Sequence, residues 1–522
     1  MEDSIADNDD QASNESLKQH EYVPKNIVLC ADGTGNEGGY TPDSNVFKTY
    51  NGVDIHHPTI KQITFYDNGV GTAKNKILRA LSGALGFGFA SNVKDLYEYL
   101  AKHYCPGDKI YLFGFSRGAA TIRAFMGFVG TCGLVKGNGL AHDKLKQYTC
   151  EAFEAYKKHK RHPEIAKRFR EHDNSNNVVP IEFIGVWDSV SALGLPDHMD
   201  QTGFLSWVLN LFFKYTDKIL NLFWPHHFYV YDLNDKVKHA YQALALDDAR
   251  TSFWPLVFDE NKHQQTQIEQ VWFAGMHANV GGGYERTGLA TVALHWMLVR
   301  ASHHDLHFKK GFVQQQEQDA NVNGRLYNSR DGVAIFYRYH PREIDTLCKN
   351  KMRDNEIKIH ETVIDRMQQQ TADYAPTHLP PTFRIANTAI NKKGKLYELG
   401  DKPGWKAAVK AIRQRVNLRK MNYIIMLTFA VIIAVSSIVT WVKGVEYWGR
   451  SGLTGHLADI ADYFMPEMLE PMVEVAFMHY PITFAVLLLL VYWFWKYNQS
   501  LRNHMHLSAV KIRDIVLAAI PK

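Results

Sequence analysis

KIYLFGFSRGAATIRAF, residues Lys109 to Phe125, passes from seven strand-like residues into a helical pattern through a turn of small ones. KIYLFGF is apolar almost throughout, as a strand buried on both faces tends to be. Gly114-Phe115-Ser116-Arg117-Gly118 then matches G-x-S-x-G placed between strand and helix, the nucleophile elbow. Such a turn is too sharp for side chains beside the serine. It lifts the hydroxyl above the sheet, over a helix N-terminus that favours developing negative charge. The alternative is a tight βα turn without chemistry, since a bare G-x-S-x-G also arises by chance.

Outward from this segment, further apolar runs have the same character. NIVLC (Asn26 to Cys30), QITFYD (Gln62 to Asp67), IEFIGVW (Ile181 to Trp187) and IEQVWFAG (Ile268 to Gly275) read as strands. Helical stretches such as Ser91 to His103 and Arg117 to Gly130 intervene. This alternation predicts an α/β-hydrolase-like, doubly wound, mostly parallel sheet over residues 25–390.

A serine nucleophile needs a base and a group that orients the base. In this fold they follow in the order serine, acid, histidine. His277 ends a predicted strand and precedes Gly281-Gly282-Gly283, so its imidazole could turn back toward Ser116. Asp188 ends another strand, where a carboxylate faces the ligand crevice. It is preferred as the acid over Asp247 and Asp248, which also lie between serine and histidine. An oxyanion hole takes two backbone N–H groups. Arg117 supplies one, and Gly33 or Thr34 in the loop Asp32-Gly33-Thr34-Gly35-Asn36 the other.

The bulk composition narrows the field. A net charge of +5 over 522 residues is too small to indicate a nucleic-acid binder. Five scattered cysteines (Cys30, Cys105, Cys132, Cys150, Cys348) form no CxxC pair and fit reduced thiols rather than a disulfide framework. No HExxH or other metal-ligand spacing occurs, and neither a metal nor a cofactor is expected. Residues 1–24 are acidic and polar and read as a disordered tail without the apolar core of an export signal.

Two further segments point to lipid. Within 193–232, Phe204 to Trp224 is apolar and aromatic but interrupted by Lys214, Asp217 and Lys218. It reads either as a lid or interfacial helix, or as a core helix of an enlarged domain. Asn422 to Val442 is uncharged and long enough to cross a bilayer, and Tyr480 to Trp495 is a shorter apolar run ending in YWFW. Together they predict a two-helix transmembrane hairpin over 422–496. A basic linker (391–421) would precede it and a basic tail (497–522) follow. Lys and Arg crowd the outer flanks, so both ends and the catalytic domain are expected on the cytoplasmic face of the inner membrane.

These pieces resemble a known family. ADGTGN (Ala31 to Asn36), Ser44-Asn45-Val46, YDNGVGT (Tyr66 to Thr72), PGDKIYLFGFSRGAATIRAF (Pro106 to Phe125), FIGVWDSV (Phe183 to Val190) and VWFAGMHANVGGGY (Val271 to Tyr284) carry the likeness. It is to the α/β-hydrolase domain family that includes type VI secretion phospholipase effectors, and it fades through Ile359 to Met367 and Tyr374 to Phe383. The resemblance implies a triad on Ser116, Asp188 and His277, and ester hydrolysis on membrane phospholipid of phospholipase A type. It also implies a secretion or immunity partner if the protein is delivered as an effector. The family carries an acidic residue shortly after the histidine where this chain has Asn279. A membrane-tethered esterase or thioesterase on soluble substrates, and a non-catalytic membrane scaffold, are the competing readings.

Overall fold

The computed structural model describes residues 22–33, 36, 42–69, 88–191, 228–331, 334, 337–390, 392, 394–442, 455–456, 459 and 481–520. The expected acidic tail up to residue 21, Thr34, and the apolar insert over 192–227 lie outside the described residues. So do nearly all of 443–480 and the side chains of 430–442.

Nine strands form one sheet: β1 (Asn26–Ala31), β2 (Gln62–Asp67), β3 (Lys109–Phe115), β6 (Ile181–Trp187), β7 (Val237–Ala245), β8 (Gln267–Phe273), β9 (Lys358–His360), β10 (Thr382–Ala386) and β11 (Leu396–Glu398). Two-residue strands β4 (Leu134–Val135) and β5 (Ser175–Asn176) make a separate antiparallel ribbon. The spatial order is β11-β10-β9-β8-β7-β6-β3-β1-β2, and every pair is parallel except β10 with β11. Helices such as Phe89–His103, Arg117–Cys132 and Gly288–His303 cover its faces. The mostly parallel α/β architecture is therefore present.

Register brings the strand ends together. Phe115 pairs with Trp187, Trp187 with Ala243, and Ala245 with Phe273. The C-terminal ends of β3, β6, β7 and β8 thus stand side by side, the position at which open α/β sheets hold ligands. β7 is absent from the sequence reading. VKHAYQALA is rich in Ala and carries His239 and Gln242, so it lacks the β-branched signal of its neighbours. It becomes a strand because β6 and β8 flank it on both sides.

Much of the expected basic linker and tail is helical. Residues Trp405–Val442 and Pro481–Ala519 are two long helices. Trp405, Ala408, Ile412, Val416 and Tyr423 recur at helical spacing and are buried, as are Met505, Ala509, Ile512, Val516 and Ile520. Both stripes join one core with Tyr339, Ile359, Val363 and Met367 of the sheet-bearing body. Lys406, Lys410, Arg413, Arg502 and Lys511 lie on the exposed faces of these docked helices, whereas Arg419 and Arg513 turn inward, onto Tyr339 and Asp373. Among the described residues no helix is long and apolar enough to cross a membrane. The spans expected over Asn422–Val442 and Tyr480–Trp495 fall partly outside those residues.

Candidate active site

The serine turn is set by close backbone approach. A Cβ on Gly118 would lie 2.2 Å from the Ala31 carbonyl oxygen, and one on Gly114 2.7 Å from Ala119 Cα. Neither position accepts a side chain without moving backbone. Between them Ser116 is held at φ 57°, ψ −124°, a conformation rare for any residue but glycine. Its N–H donates to the Trp187 carbonyl at 3.1 Å, and its own carbonyl accepts from Val190 N–H at 3.3 Å. The turn is thereby pinned to the end of β6.

Asp188 follows β6 directly and also has positive φ, 42°. His277 comes from beyond β8 after Gly275 (φ 112°), whose missing Cβ would sit 2.4 Å from the Asn279 Cβ. The folded chain joins all three residues. His277 Nε2 lies 2.7 Å from Ser116 Oγ, and its Nδ1 lies 2.5 Å from Asp188 Oδ2. This is the connectivity of a nucleophile, a base and an acid that orients the base. Phe115 and Phe253 flank the imidazole, with ring centroids 4.6 and 4.9 Å away.

Asp188 carries a partner that sequence reading missed. Arg342 forms a fork on the carboxylate, Nη1 to Oδ1 at 2.6 Å and Nη2 to Oδ2 at 2.7 Å, with both side chains fully buried. Arg342 also donates to the carbonyls of Ala245 (2.6 Å) and Phe253, and Ala245 N–H donates to Asp188 Oδ1 at 2.9 Å. Burial alone would push the Asp188 carboxyl up. The Arg342 guanidinium, together with the His277 hydrogen bond, outweighs burial and holds it well below the ordinary carboxylate range. The available signal was thin: one Arg in HPREID, 65 residues beyond His277 (342 − 277).

The alternative acids have other work. Asp247 accepts from Gly275 N–H at 2.7 Å and Tyr374 OH at 2.8 Å, and burial pushes its carboxyl up to about 6. Asp248 accepts from the His277 backbone N–H at 3.2 Å and pairs with Arg250 at 2.7 Å. Both brace the turn that presents the imidazole, and among the described hydrogen bonds neither reaches the His277 ring. Asn279 is tied in similarly, donating to the Arg325 carbonyl at 2.9 Å and accepting from Tyr327 N–H at 3.1 Å. Asp188→Asn is therefore expected to lower kcat by about 10⁴, because an amide cannot stabilise the imidazolium. Asp247→Asn should cost far less, and parallel steady-state assays of the two variants separate the roles.

The proposed oxyanion donors are less uniform. Arg117 opens its helix, so its N–H belongs to the first turn, where no intrahelical acceptor exists. Gly33 does adjoin the serine, since a Cβ there would sit 3.2 Å from Ser116 Cβ. Its N–H, however, donates to Asp32 Oδ1 at 2.6 Å, which corrects the expectation of a free donor. The buried Asp32 carboxylate also accepts from Ser44 Oγ, from Tyr66 OH at 2.7 Å and from Asn36 Nδ2 at 3.0 Å. That network sets the loop. Thr34 lies outside the described residues.

Burial lowers the His277 pKa from its ordinary 6.5, and the Asp188 contacts recover only part of that drop. A base must be neutral to accept a proton. The acid limb of a kcat/KM profile is therefore expected below pH 6.5, with activity rising as pH increases through it. A limb at or above 6.5 would contradict a buried His277 as the base.

A mostly parallel sheet flanked by helices, with a hydrogen-bonded serine–histidine–aspartate chain at its strand ends, defines the class, an α/β protein. Residues 25–300 match the type VI secretion system phospholipase effector Tle1-like catalytic domain, and the chain belongs to that family. An uncharacterized protein of Saccharomyces cerevisiae is 28% identical over 195 residues, which are 34% of this chain and 28% of that protein. The chain thus spans under a third of that relative's length. An uncharacterized protein from Pseudomonas aeruginosa has a TM-score of 0.33 at 15% identity, with 86% of this chain and 64% of that one covered. The Tle1 effector bound to the VgrG spike of the type VI secretion system gives a TM-score of 0.31 at 13% identity, with 60% and 78% covered.

Proposed function

We propose that this protein is a serine ester hydrolase that cleaves acyl esters of membrane phospholipids, a phospholipase A-type activity. The observation that carries the reading is the hydrogen-bond chain Ser116–His277–Asp188, at 2.7 and 2.5 Å, on a strained elbow. His277 takes the Ser116 proton as Oγ attacks the ester carbonyl. Arg117 N–H stabilises the oxyanion, with Thr34 N–H as the expected second donor. His277 then protonates the leaving alkoxide, and water releases the acyl group by the same steps in reverse order. Asp188 stays ionised throughout, because Arg342 and the imidazolium both favour its charged form.

Membrane contact belongs to the same reading. Val486, Leu489, Tyr492 and Trp493 are exposed on the helix Pro481–Ala519, an apolar and aromatic surface that lipid would cover. The hairpin over 422–496, with the catalytic domain on the cytoplasmic face of the inner membrane, is the corresponding placement. Reporters at Lys522 and near Ser451 test it, and a cytoplasmic loop reporter would defeat a hairpin that crosses. Delivery as an effector, with a secretion or immunity partner, rests on family membership alone.

The deciding assay is fatty-acid release from mixed phospholipid vesicles by the full chain, with Ser116→Ala alongside. Release lost in the variant supports nucleophile and substrate class together. Hydrolysis of short soluble esters with no release from vesicles would instead favour the tethered esterase.

A further inference from the structure

Arg117 stands directly after the nucleophile and opens the helix Arg117–Cys132. Its backbone N–H serves the oxyanion, but the acyl transfer described above does not use its side chain. In a helix each Cα–Cβ bond tilts toward the N-terminus, so this side chain leaves the helix toward the crevice at the strand ends. The residue is half-buried, and its guanidinium lies close enough to the Tyr337 phenol to interact with it electrostatically. Tyr337 meets Phe253 edge-on, 5.5 Å between ring centroids, and Phe253 meets the His277 imidazole at 4.9 Å. Arg117 therefore belongs to the same wall of the site as Tyr337 and Phe253.

The carboxylates that build this part of the site are committed to other groups. Asp188 is forked by Arg342 and bonded to His277. Asp248 is held by Arg250, which itself lies 3.5 Å from the Phe253 ring centroid. Asp247 accepts from Gly275 and Tyr374, and Asp32 from Gly33, Ser44, Tyr66 and Asn36. Among the described residues no carboxylate acts on the Arg117 guanidinium; burial draws its pKa down to about 10, and Tyr337 opposes that shift. The first turn of its helix carries no acidic residue either. A half-buried cation at the positive end of a helix is poorly placed until an anion joins it.

We propose that the Arg117 guanidinium holds the phosphate of the substrate while the ester carbonyl sits at Ser116, and so selects phosphate-bearing acyl esters over neutral ones. This role deepens the phospholipase reading given above and rests on it. In a glycerophospholipid the phosphate and the acyl esters share one glycerol unit, so two adjacent residues can engage both. The backbone N–H of Arg117 meets the carbonyl oxygen as its charge develops, and the side chain meets the phosphate. The planar fork of arginine matches two phosphate oxygens at once, which the point charge of lysine does not. A site that holds a polar group in this way discriminates against the analogue lacking it.

The test uses the full chain with dihexanoylphosphatidylcholine and dihexanoylglycerol as dispersed monomers, a pair that differs in the phosphorylcholine group alone and needs no membrane. Arg117→Gln and Arg117→Lys are compared with the wild type, with melting curves alongside. The wild type is expected to favour the phospholipid. Arg117→Gln should lower the ratio of the two kcat/KM values by about tenfold or more, through the KM of the phospholipid, and Arg117→Lys by less. Glycerol 3-phosphate should compete with dihexanoylglycerol in the wild type, with an inhibition constant that rises by a similar factor in Arg117→Gln. A purely structural part for Arg117 in the elbow would instead lower both kcat values together and leave the ratio in place.

An unchanged ratio in a folded Arg117→Gln overturns the contact and leaves the phospholipase reading intact. A wild type that cleaves only the neutral ester, yet is inhibited by glycerol 3-phosphate through Arg117, defeats that reading and keeps the contact. Absence of this inhibition in the wild type overturns the contact whatever the variants do, so the outcome does not depend on how well Arg117→Gln folds.

Discussion

Ser116→Ala is expected to lower kcat by a factor on the order of 10⁶ while the protein remains folded. The size follows from what a single atom does. Ser116 Oγ is the one nucleophile within hydrogen-bond reach of His277 Nε2 among the described contacts, at 2.7 Å. Without it the histidine has no proton to take, and only the positioning of ester and oxyanion donors remains. Alanine adopts the strained φ of 57° no less readily than serine, so the turn between Gly114 and Gly118 should persist. An unchanged melting curve with fatty-acid release at background is the outcome that places the chemistry on this hydroxyl. Release persisting near the wild-type rate would move the nucleophile elsewhere.

The second large effect lies where no motif pointed. Arg342→Met is expected to destabilise the fold by about 3–5 kcal/mol, because it leaves the Asp188 carboxylate buried and without its countercharge. Both side chains are fully buried, and the fork on Asp188 is joined to the carbonyls of Ala245 and Phe253. The variant also changes the acid itself. Without Arg342, burial dominates and raises the Asp188 carboxyl, weakening its support of the His277 imidazolium as that charge forms. Arg342→Lys keeps a charge but loses the bidentate geometry, and should fall between the two. Denaturant melts of the two single variants and of Asp188→Asn with Arg342→Met close a double-mutant cycle. Recovery of stability in the double variant is expected, since removing both charges leaves neither uncompensated. Strictly additive losses would mean that the two residues do not act as a pair.

The two C-terminal helices combine a hydropathy signal with a helical stripe that hydropathy does not register. Asn422–Val442 and Tyr480–Trp495 stand out by hydropathy alone, and a basic stretch on either side reads as flank. The stripe Trp405, Ala408, Ile412, Val416 carries the 3.6-residue period that would have revealed a docked helix. It was masked by the Lys and Arg residues between its members. Hydropathy averages over a window, whereas docking depends on which side of the helix each residue occupies.

What the sequence determined by itself is what local sterics and chain order dictate. Gly114 and Gly118 admit no side chain at a strand-to-helix turn, so the elbow and its serine could be read directly. Buried parallel strands announce themselves as apolar runs, and β1, β3, β6 and β8 did so, with the half-buried edge strand β2 beside them. Ser116 and His277 followed from their places at strand ends, and Asp188 was preferred there over Asp247 and Asp248. Only the tertiary structure decided what depends on groups distant in the chain meeting at one point. It set Asp188 against the His277 imidazole, because register places β6 beside β3, while Asp247 and Asp248, just beyond β7, turn to backbone N–H groups and Arg250. It turned the Gly33 N–H onto Asp32 and brought Arg342 onto Asp188 across 154 residues of chain. A buried charge must find its partner wherever the fold supplies one, and the spacing of residues along a chain carries no trace of that requirement.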